Sequence, residues 1–375
     1  MLKGSVRLTL LLGPTVPVPV PRDVIEALQS VEVKVAAGER GGFQLTFKLE
    51  NDSPLNTLLL LLGQIGPFIR AIIVATVNGT PHVLMDGVVT QHQVTPDVAT
   101  GKSTLTVTGE DLTAVMDYVE FNGLPYPAMP PEARVALILA KYAVYGMIPL
   151  IIPSLFQEVP NPLDRIPSHR GTDLQYIEGL AEEAGYVFYV DPGPAPGTNL
   201  AYWGPEIKVG VPQPALNVNM DVHTNIESLN FRYDGRSGTL PVVYIQNQET
   251  RATIPIPVPS VSLLNPPLGV IPPLQAQVKF MPDTARLSPI KAVLRGLAEA
   301  AKSAEAVTGT GSLDVLRYGH ILRARGLVGV RGAGQAFDGL YFVKNVTHRI
   351  KKGEYKQTFT LTRNGLVSTV PSVPT

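Results

Sequence analysis

The stretch Pro96-Asp97-Val98-Ala99-Thr100-Gly101-Lys102-Ser103 has the residue types of a phosphate-binding loop. Lys and Ser after a glycine can hold phosphate oxygens, with backbone amides at a helix N-terminus supplying the rest. The first glycine of that pattern is missing, and Thr104 to Thr108 alternates as a strand does instead of opening a helix. A hairpin turn accounts for it better. Gly309 to Gly311 and Gly329 to Gly334 contain Gly-x-Gly, but neither opens a strand–helix–strand unit, so dinucleotide binding is not predicted. The six histidines, His82, His92, His169, His223, His320 and His348, show neither H-x-x-x-H nor H-E-x-x-H spacing, so no metal site is predicted. His348, within Val-Thr-His-Arg-Ile on a strand pattern, reads as structural. Glu178, Glu182 and Glu183 offer paired acids, but they lie opposite an apolar helix stripe and read as its solvated face. There is no Gly-x-Ser-x-Gly elbow and no cysteine, which excludes thiolate chemistry and disulfides. The expectation is no catalytic residue, no metal ligand, no cofactor and no enzyme activity.

With no chemistry to position, the elements themselves carry the information. Residues 171–190 read GTDLQYIEGLAEEAGYVFYV and organise the middle of the chain. Thr172 is placed to cap a helix, with Gln175 at the capping-box spacing. Leu174, Ile177, Leu180, Ala181 and Ala184 make one apolar stripe. Gly185 ends the helix, because a residue without Cβ enters the left-handed region cheaply. Tyr186 to Val190, aromatic and β-branched, favours a strand.

The rest is β-rich. Strands are predicted at 5–12, 30–36 and 42–50, with a stiff proline loop at 14–21. A hairpin spans 69–77 and 83–94 around Asn78-Gly79, a strong hairpin turn, and 103–108 closes the unit. Helices are predicted at 110–118 and 131–145, then a proline-punctuated connector at 149–167. Further strands are predicted at 200–203, 226–233 and 242–247, the last two as a hairpin. A proline-rich excursion at 254–273, a helix from Ser288 and strands at 321–330, 340–350 and 355–362 complete the chain. Two segments repeat: Asp86-Gly87 and Asp338-Gly339 each open a strand, and Gly101 and Gly353 each follow 14 residues later. The alternating runs Thr104 to Thr108 and Thr358 to Thr362 come next in both. The prediction is a duplicated β-barrel.

At 375 residues the chain has room for two or three domains. Lys plus Arg and Asp plus Glu both number 31, a balance that argues against a dedicated nucleic-acid binder. The charge is segregated: residues 110–191 hold 12 acidic and 4 basic groups, and 314–363 hold 10 basic and 3 acidic. Such faces either are solvated separately or meet between subunits or domains. Leu8 to Leu12 is too short for a signal-peptide core, and Gly63, Gly66, Pro67 and Arg70 interrupt the apolar run 55–77. A protein made in the cytoplasm, without direct membrane insertion, is expected.

The organising helix and strand, the run Ile138-Leu139-Ala140-Lys141-Tyr142, and the C-terminal pattern resemble the tail-hub family often called late control protein D-like. That pattern is Gly319 to Gly326, then Phe337 to Ile350 (FDGLYFVKNVTHRI), then Gly353 to Phe359 (GEYKQTF). This group supplies baseplate hubs of contractile phages, VgrG-like proteins and related injection systems. The resemblance spans roughly residues 80–365. It implies a mainly β fold with α+β insertions: a first tube-like β-barrel at 1–112, a helical and α+β middle domain at 113–222, a second barrel at 223–365 carrying a proline-rich and helical insertion at about 251–308, and a short tail at 366–375. It further implies a homotrimeric ring that adapts a six-fold tail tube to a three-fold spike. The tube or its initiator, a spike protein and other baseplate components would be its partners, with no nucleic-acid specificity, in a phage tail-like particle assembled in the bacterial cytoplasm. The chain runs only ten residues past Gly365, so the spike is expected on a separate chain. The basic hairpin Arg349, Lys351, Lys352 and Lys356 is expected to contact an acidic neighbour. The competing readings are a tail-associated wall-degrading enzyme, which lacks its acids or metal ligands, and a carbohydrate-binding barrel, for which Trp203 alone is a thin stacking platform.

Overall fold

The computed structural model describes residues 6–49, 68–97, 102–154, 163, 166–246, 252–259 and 266–370. The expectations that fall on residues 55–67, 98–101, 155–162, 164–165 and 260–265 lie outside the described residues.

The architecture is mainly β with α+β insertions. The first unit holds β1 (Val6–Gly13), β2 (Val18–Pro19), α1 (Arg22–Ala27), β3 (Leu28–Ala36), β4 (Gly42–Leu49), β5 (Ile69–Val77), β6 (Thr80–Asp97) and β7 (Lys102–Asp111). Asn78 and Gly79, with φ of 52° and 85°, make the two-residue turn between β5 and β6, the backbone that an Asn-Gly hairpin requires. The helix expected at 110–118 does not form. β7 runs on to Asp111, whose carboxylate accepts from the Thr113 N–H at 2.9 Å and caps a short 3₁₀ turn, Leu112–Met116.

The middle segment contains α2 (Pro131–Ala140), β8 (Met147–Ile151), α3 (Asp173–Ala184), β9 (Val187–Pro192) and β10 (Asn199–Gly204). The helix expected to reach Tyr145 stops at Ala140, and Gly146 turns the chain with φ of 71°. β8 was expected to be connector. Its Pro149 argues against a central strand, but among the described residues β8 pairs only with β10, as an edge, where a missing N–H is tolerated. α3 matches its prediction: Thr172 accepts from Gln175 N–H, Gln175 accepts from Thr172 N–H, and Gly185 follows with φ of 70°. Leu174, Ile177, Leu180 and Ala181 bury with Val135, Ile138 and the fully buried Trp203 in one apolar core.

The second unit begins with β11 (Gln213–Asn217) and β12 (Ser228–Tyr233). β13 (Gly238–Gln246), β14 (Thr253–Pro257), β15 (Gly269–Ile271), β16 (Gln275–Met281) and α4 (Pro289–Ser303) follow. The unit resumes with β17 (Val307–Asp314), α5 (Val315–Tyr318), β18 (Leu327–Arg331), β19 (Gly339–Lys351) and β20 (Glu354–Arg363), and β21 (Leu366–Ser368) pairs with β15. The expected hairpin between 226–233 and 242–247 is not formed. β12 pairs with β17, whereas β13 belongs to a separate sheet with β14 and β16 that packs on α4 through Val243, Val258 and Ala292. An alternating pattern marks a strand face but does not name the partner strand.

Candidate assembly interface

The duplication is visible in strand order. In the first unit neighbours run β3-β4-β7-β6-β5-β1; in the second they run β12-β17-β20-β19-β18-β11. The long central strands, β6 and β19, each carry a one-residue bulge, at Thr90 and at Lys344. Aligned on these bulges, Gln93 and its partner Thr106 correspond to Thr347 and its partner Thr358. The threonine runs and Asp-Gly pairs that repeat in the sequence are therefore two residues out of register with the strands, a slip that keeps every side chain on its face. One step differs between the units: β1 meets β5 antiparallel, whereas β11 meets β18 parallel.

The two units are joined edge to edge. β3 lies antiparallel on the part of β19 beyond its bulge, pairing Val35 with Val346, Val33 with His348 and Val31 with Ile350. All six of these side chains face the shared core, and Val33 and His348 are 0% and 4% exposed. On the outer face Arg349 Nε donates to Glu32 Oε2 at 3.0 Å. His348 Nδ1 lies 2.8 Å from Tyr355 Oη and 3.3 Å from Gln357 Nε2. Burial holds its imidazole far below the usual histidine range, at about 3, with Arg323 adding to the effect.

The counterparts of these two edges have no partner strand among the described residues. β12, equivalent to β3, ends the sheet and pairs only with β17. Beyond its bulge β6, equivalent to β19, pairs only with β7, and Gln91 through Pro96 are all exposed. The inward positions there are Leu229, Phe231 and Tyr233 on β12 and His92, Val94 and Pro96 on β6. Phe231 stacks on Phe337 at 5.1 Å between ring centroids and is half-buried, and Val94 is 43% exposed. Open, apolar strand edges of this kind are templates for pairing with another chain. The sequence patterning could not reveal them, since it does not show which edges stay free.

The residues singled out for chemistry do not converge. β6 ends at Asp97 and β7 starts at Lys102, so the phosphate-loop look-alike joins two antiparallel strands. Glu178, Glu182 and Glu183 are exposed on α3, and Glu182 accepts from Arg295 of α4. Among the described residues no group of three His, Asp or Glu could hold a metal ion, and no helix is long and apolar enough to cross a membrane. A cleft of about 1000 Å³ between α3 and α4 is lined by Ala181, Phe188, Phe280, Val293 and Leu297. The basic hairpin is in part satisfied within the chain: Arg349 pairs with Glu32, and Lys356 with Glu227 at 2.9 Å and Glu354 at 3.3 Å. Asp191 in the acidic segment likewise pairs with Arg325 of the basic one.

The chain matches no protein-family profile and no curated protein. Among solved structures it is similar to the tail protein of Neisseria meningitidis MC58, with a TM-score of 0.62, 12% identity, and coverage of 96% of this chain and 98% of that one. It is equally similar to the 43 kDa tail protein of prophage MuSo2 from Shewanella oneidensis, with a TM-score of 0.62, 12% identity, and coverage of 96% and 99%. An E. coli component of the type VI secretion system, itself similar to the T4 bacteriophage tail proteins gp27 and gp5, aligns with a TM-score of 0.54, 10% identity, and coverage of 92% and 77%. At these identities the likeness is one of fold, and it extends over nearly the whole chain.

Proposed function

We propose that this protein is a structural hub of a phage tail or tail-like injection machine, a ring component that carries out no catalysis. Three chains, each with two equivalent β units, form a ring that presents six similar units to a tail tube. The same ring offers three-fold symmetry to a spike. The family resemblance and the shared fold of tail proteins support the reading at the level of the machine. The observation that carries it is the duplicated unit itself, with one unit-to-unit junction made inside the chain and the two equivalent edges without a partner strand among the described residues. Such a protomer is heterologous: its head fits its own tail, and a ring results when the rotation closes. The division at 1–112, 113–222 and 223–365 belongs to this proposal, as does assembly in the bacterial cytoplasm with other baseplate components.

Light scattering over a concentration series, alone and then with the tube and spike proteins, is the test. A mass of about 121 kDa, three times the 40.3 kDa chain, is expected, either alone or once the spike is added. A monomer under every condition overturns the reading.

A further inference from the structure

The geometry points to a specific strand junction with a second copy of this chain: β12 of one protomer adds to the Gln91–Pro96 edge of β6 in the next. The inference rests on the ring reading and fixes its interface at the level of residues.

The register follows from the junction already made inside the chain. There, Val35, Lys34, Val33, Glu32 and Val31 of β3 face Val346, Thr347, His348, Arg349 and Ile350 of β19. Through their shared pairing with β4 and β17, Val31, Glu32, Val33 and Lys34 correspond to Leu229, Asn230, Phe231 and Arg232. Tyr233 then takes the place of Val35. Through the bulges, His92, Gln93, Val94, Thr95 and Pro96 take the places of Val346 to Ile350. Repeating the junction between protomers sets Tyr233 against His92, Arg232 against Gln93, Phe231 against Val94, Asn230 against Thr95 and Leu229 against Pro96.

The chemistry of these pairs fits. Tyr233, Phe231 and Leu229 already lean on the common core, half-buried, on one side of β12. His92, Val94 and Pro96 would cover their open flank. In the junction already made, five of the six equivalent positions are buried, Val31, Val33, Val346, His348 and Ile350 all at or below 7% exposure, and Val35 is half-buried. The outward pairs, Arg232 with Gln93 and Asn230 with Thr95, bring no like charges together. Main-chain hydrogen bonds would hold the two edges, with alternate side chains setting the register, as in strand addition generally. The two kinds of junction differ in one respect. The internal one carries the ion pair Glu32–Arg349, and the external one has Asn230 and Thr95 in its place. The external junction is the one a ring must open to assemble.

Because the chain has no cysteine, paired thiols report this contact cleanly. Asn230→Cys with Thr95→Cys places two outward-facing thiols on directly opposed positions, where Cβ atoms lie about 4.5–5.5 Å apart. Mild oxidation, which joins only thiols close enough for a direct S–S bond, is expected to trap covalent dimers and trimers and nothing larger. Asn230→Cys with Gln93→Cys, two residues out of register on the same face, should form the disulfide at least about tenfold more slowly, since diagonal neighbours lie about 7–8 Å apart, at the limit of what an S–S bond can bridge. A trimeric mass in which neither pair cross-links, or in which the shifted pair reacts as fast, overturns this junction and leaves the ring standing. A monomeric mass at every concentration, with spike and tube present, overturns both.

Discussion

The guanidinium of Arg70 and the carboxylate of Asp86 meet through two parallel hydrogen bonds of 2.7 Å, Nε to Oδ1 and Nη2 to Oδ2, with side chains 4% and 0% exposed. Arg70 also donates to the carbonyl oxygens of Thr15 and Tyr145, and Asn199 Nδ2 reaches Asp86 Oδ2 at 2.9 Å. The pair therefore fastens β5 and β6 to the middle segment. Arg70→Met strands a buried carboxylate and is expected to cost about 3–5 kcal/mol, whereas Arg70→Met with Asp86→Leu should cost much less. Urea unfolding of the two variants decides between these outcomes.

The exposed ion pair of the internal junction should behave differently. Glu32 and Arg349 keep 47% and 58% of their side-chain surface in water, where such pairs contribute about 0–1 kcal/mol. Glu32→Gln is expected to shift the unfolding midpoint barely and to lose even that shift in high salt.

Two buried histidines make stability depend on pH. Burial lowers His169, partly opposed by Asp173, and lowers His348 to about 3. The unfolded chain takes up these protons near pH 6.5 and the folded one only at lower pH, about 3 for His348, so stability is full above about pH 6.5 and falls as the pH drops below it, the His348 contribution continuing to fall toward pH 3. Each histidine held neutral contributes a slope of up to about 1.4 kcal/mol per pH unit. His348→Gln, compared with the native chain by urea unfolding at pH 7.5 and pH 5, should flatten the loss.

Gly185 links two helices. Its φ of 70° lies in the left-handed region, and an added Cβ would stand 2.7 Å from the carbonyl oxygen of Leu294 on α4. Gly185→Ala is expected to cost at least about 1–2 kcal/mol, read as a lowered Tm. Gly179, on the same helix with open space around its Cβ position, is the control: Gly179→Ala should raise Tm slightly, since alanine is the better helix former.

Local signals were legible where the information is local. The capping box at Thr172, the stop at Gly185 and the Asn78-Gly79 hairpin each depend on residues within a few positions, and each forms as the sequence implies. α1 was missed because it is only six residues long, Arg22–Ala27, and lies behind a proline run that reads as extended chain. The partner of β12 was misread because the insertion from Asp234 to Ala306 separates it from β17, and strand alternation is the same whichever partner is present. The duplication was legible as a similarity between two stretches. Its register was not, because the bulges at Thr90 and Lys344 leave no mark in the hydrophobic pattern. Which strand edges are used within the chain is set by the pairing of β3 with β19, a contact far apart in sequence that local patterning does not carry.

That pairing also sets the order in which the chain can mature. Glu32 and Arg349 are 317 residues apart in sequence, so β3 leaves the ribosome long before the strand that covers it. Throughout synthesis its apolar edge, Val31 and Val33, stands open to other nascent chains. Contacts this distant form slowly, and uncovered edges are where misassembly starts. A chain released before β19 emerges could not cover that edge, so premature termination should yield aggregates rather than a soluble fragment.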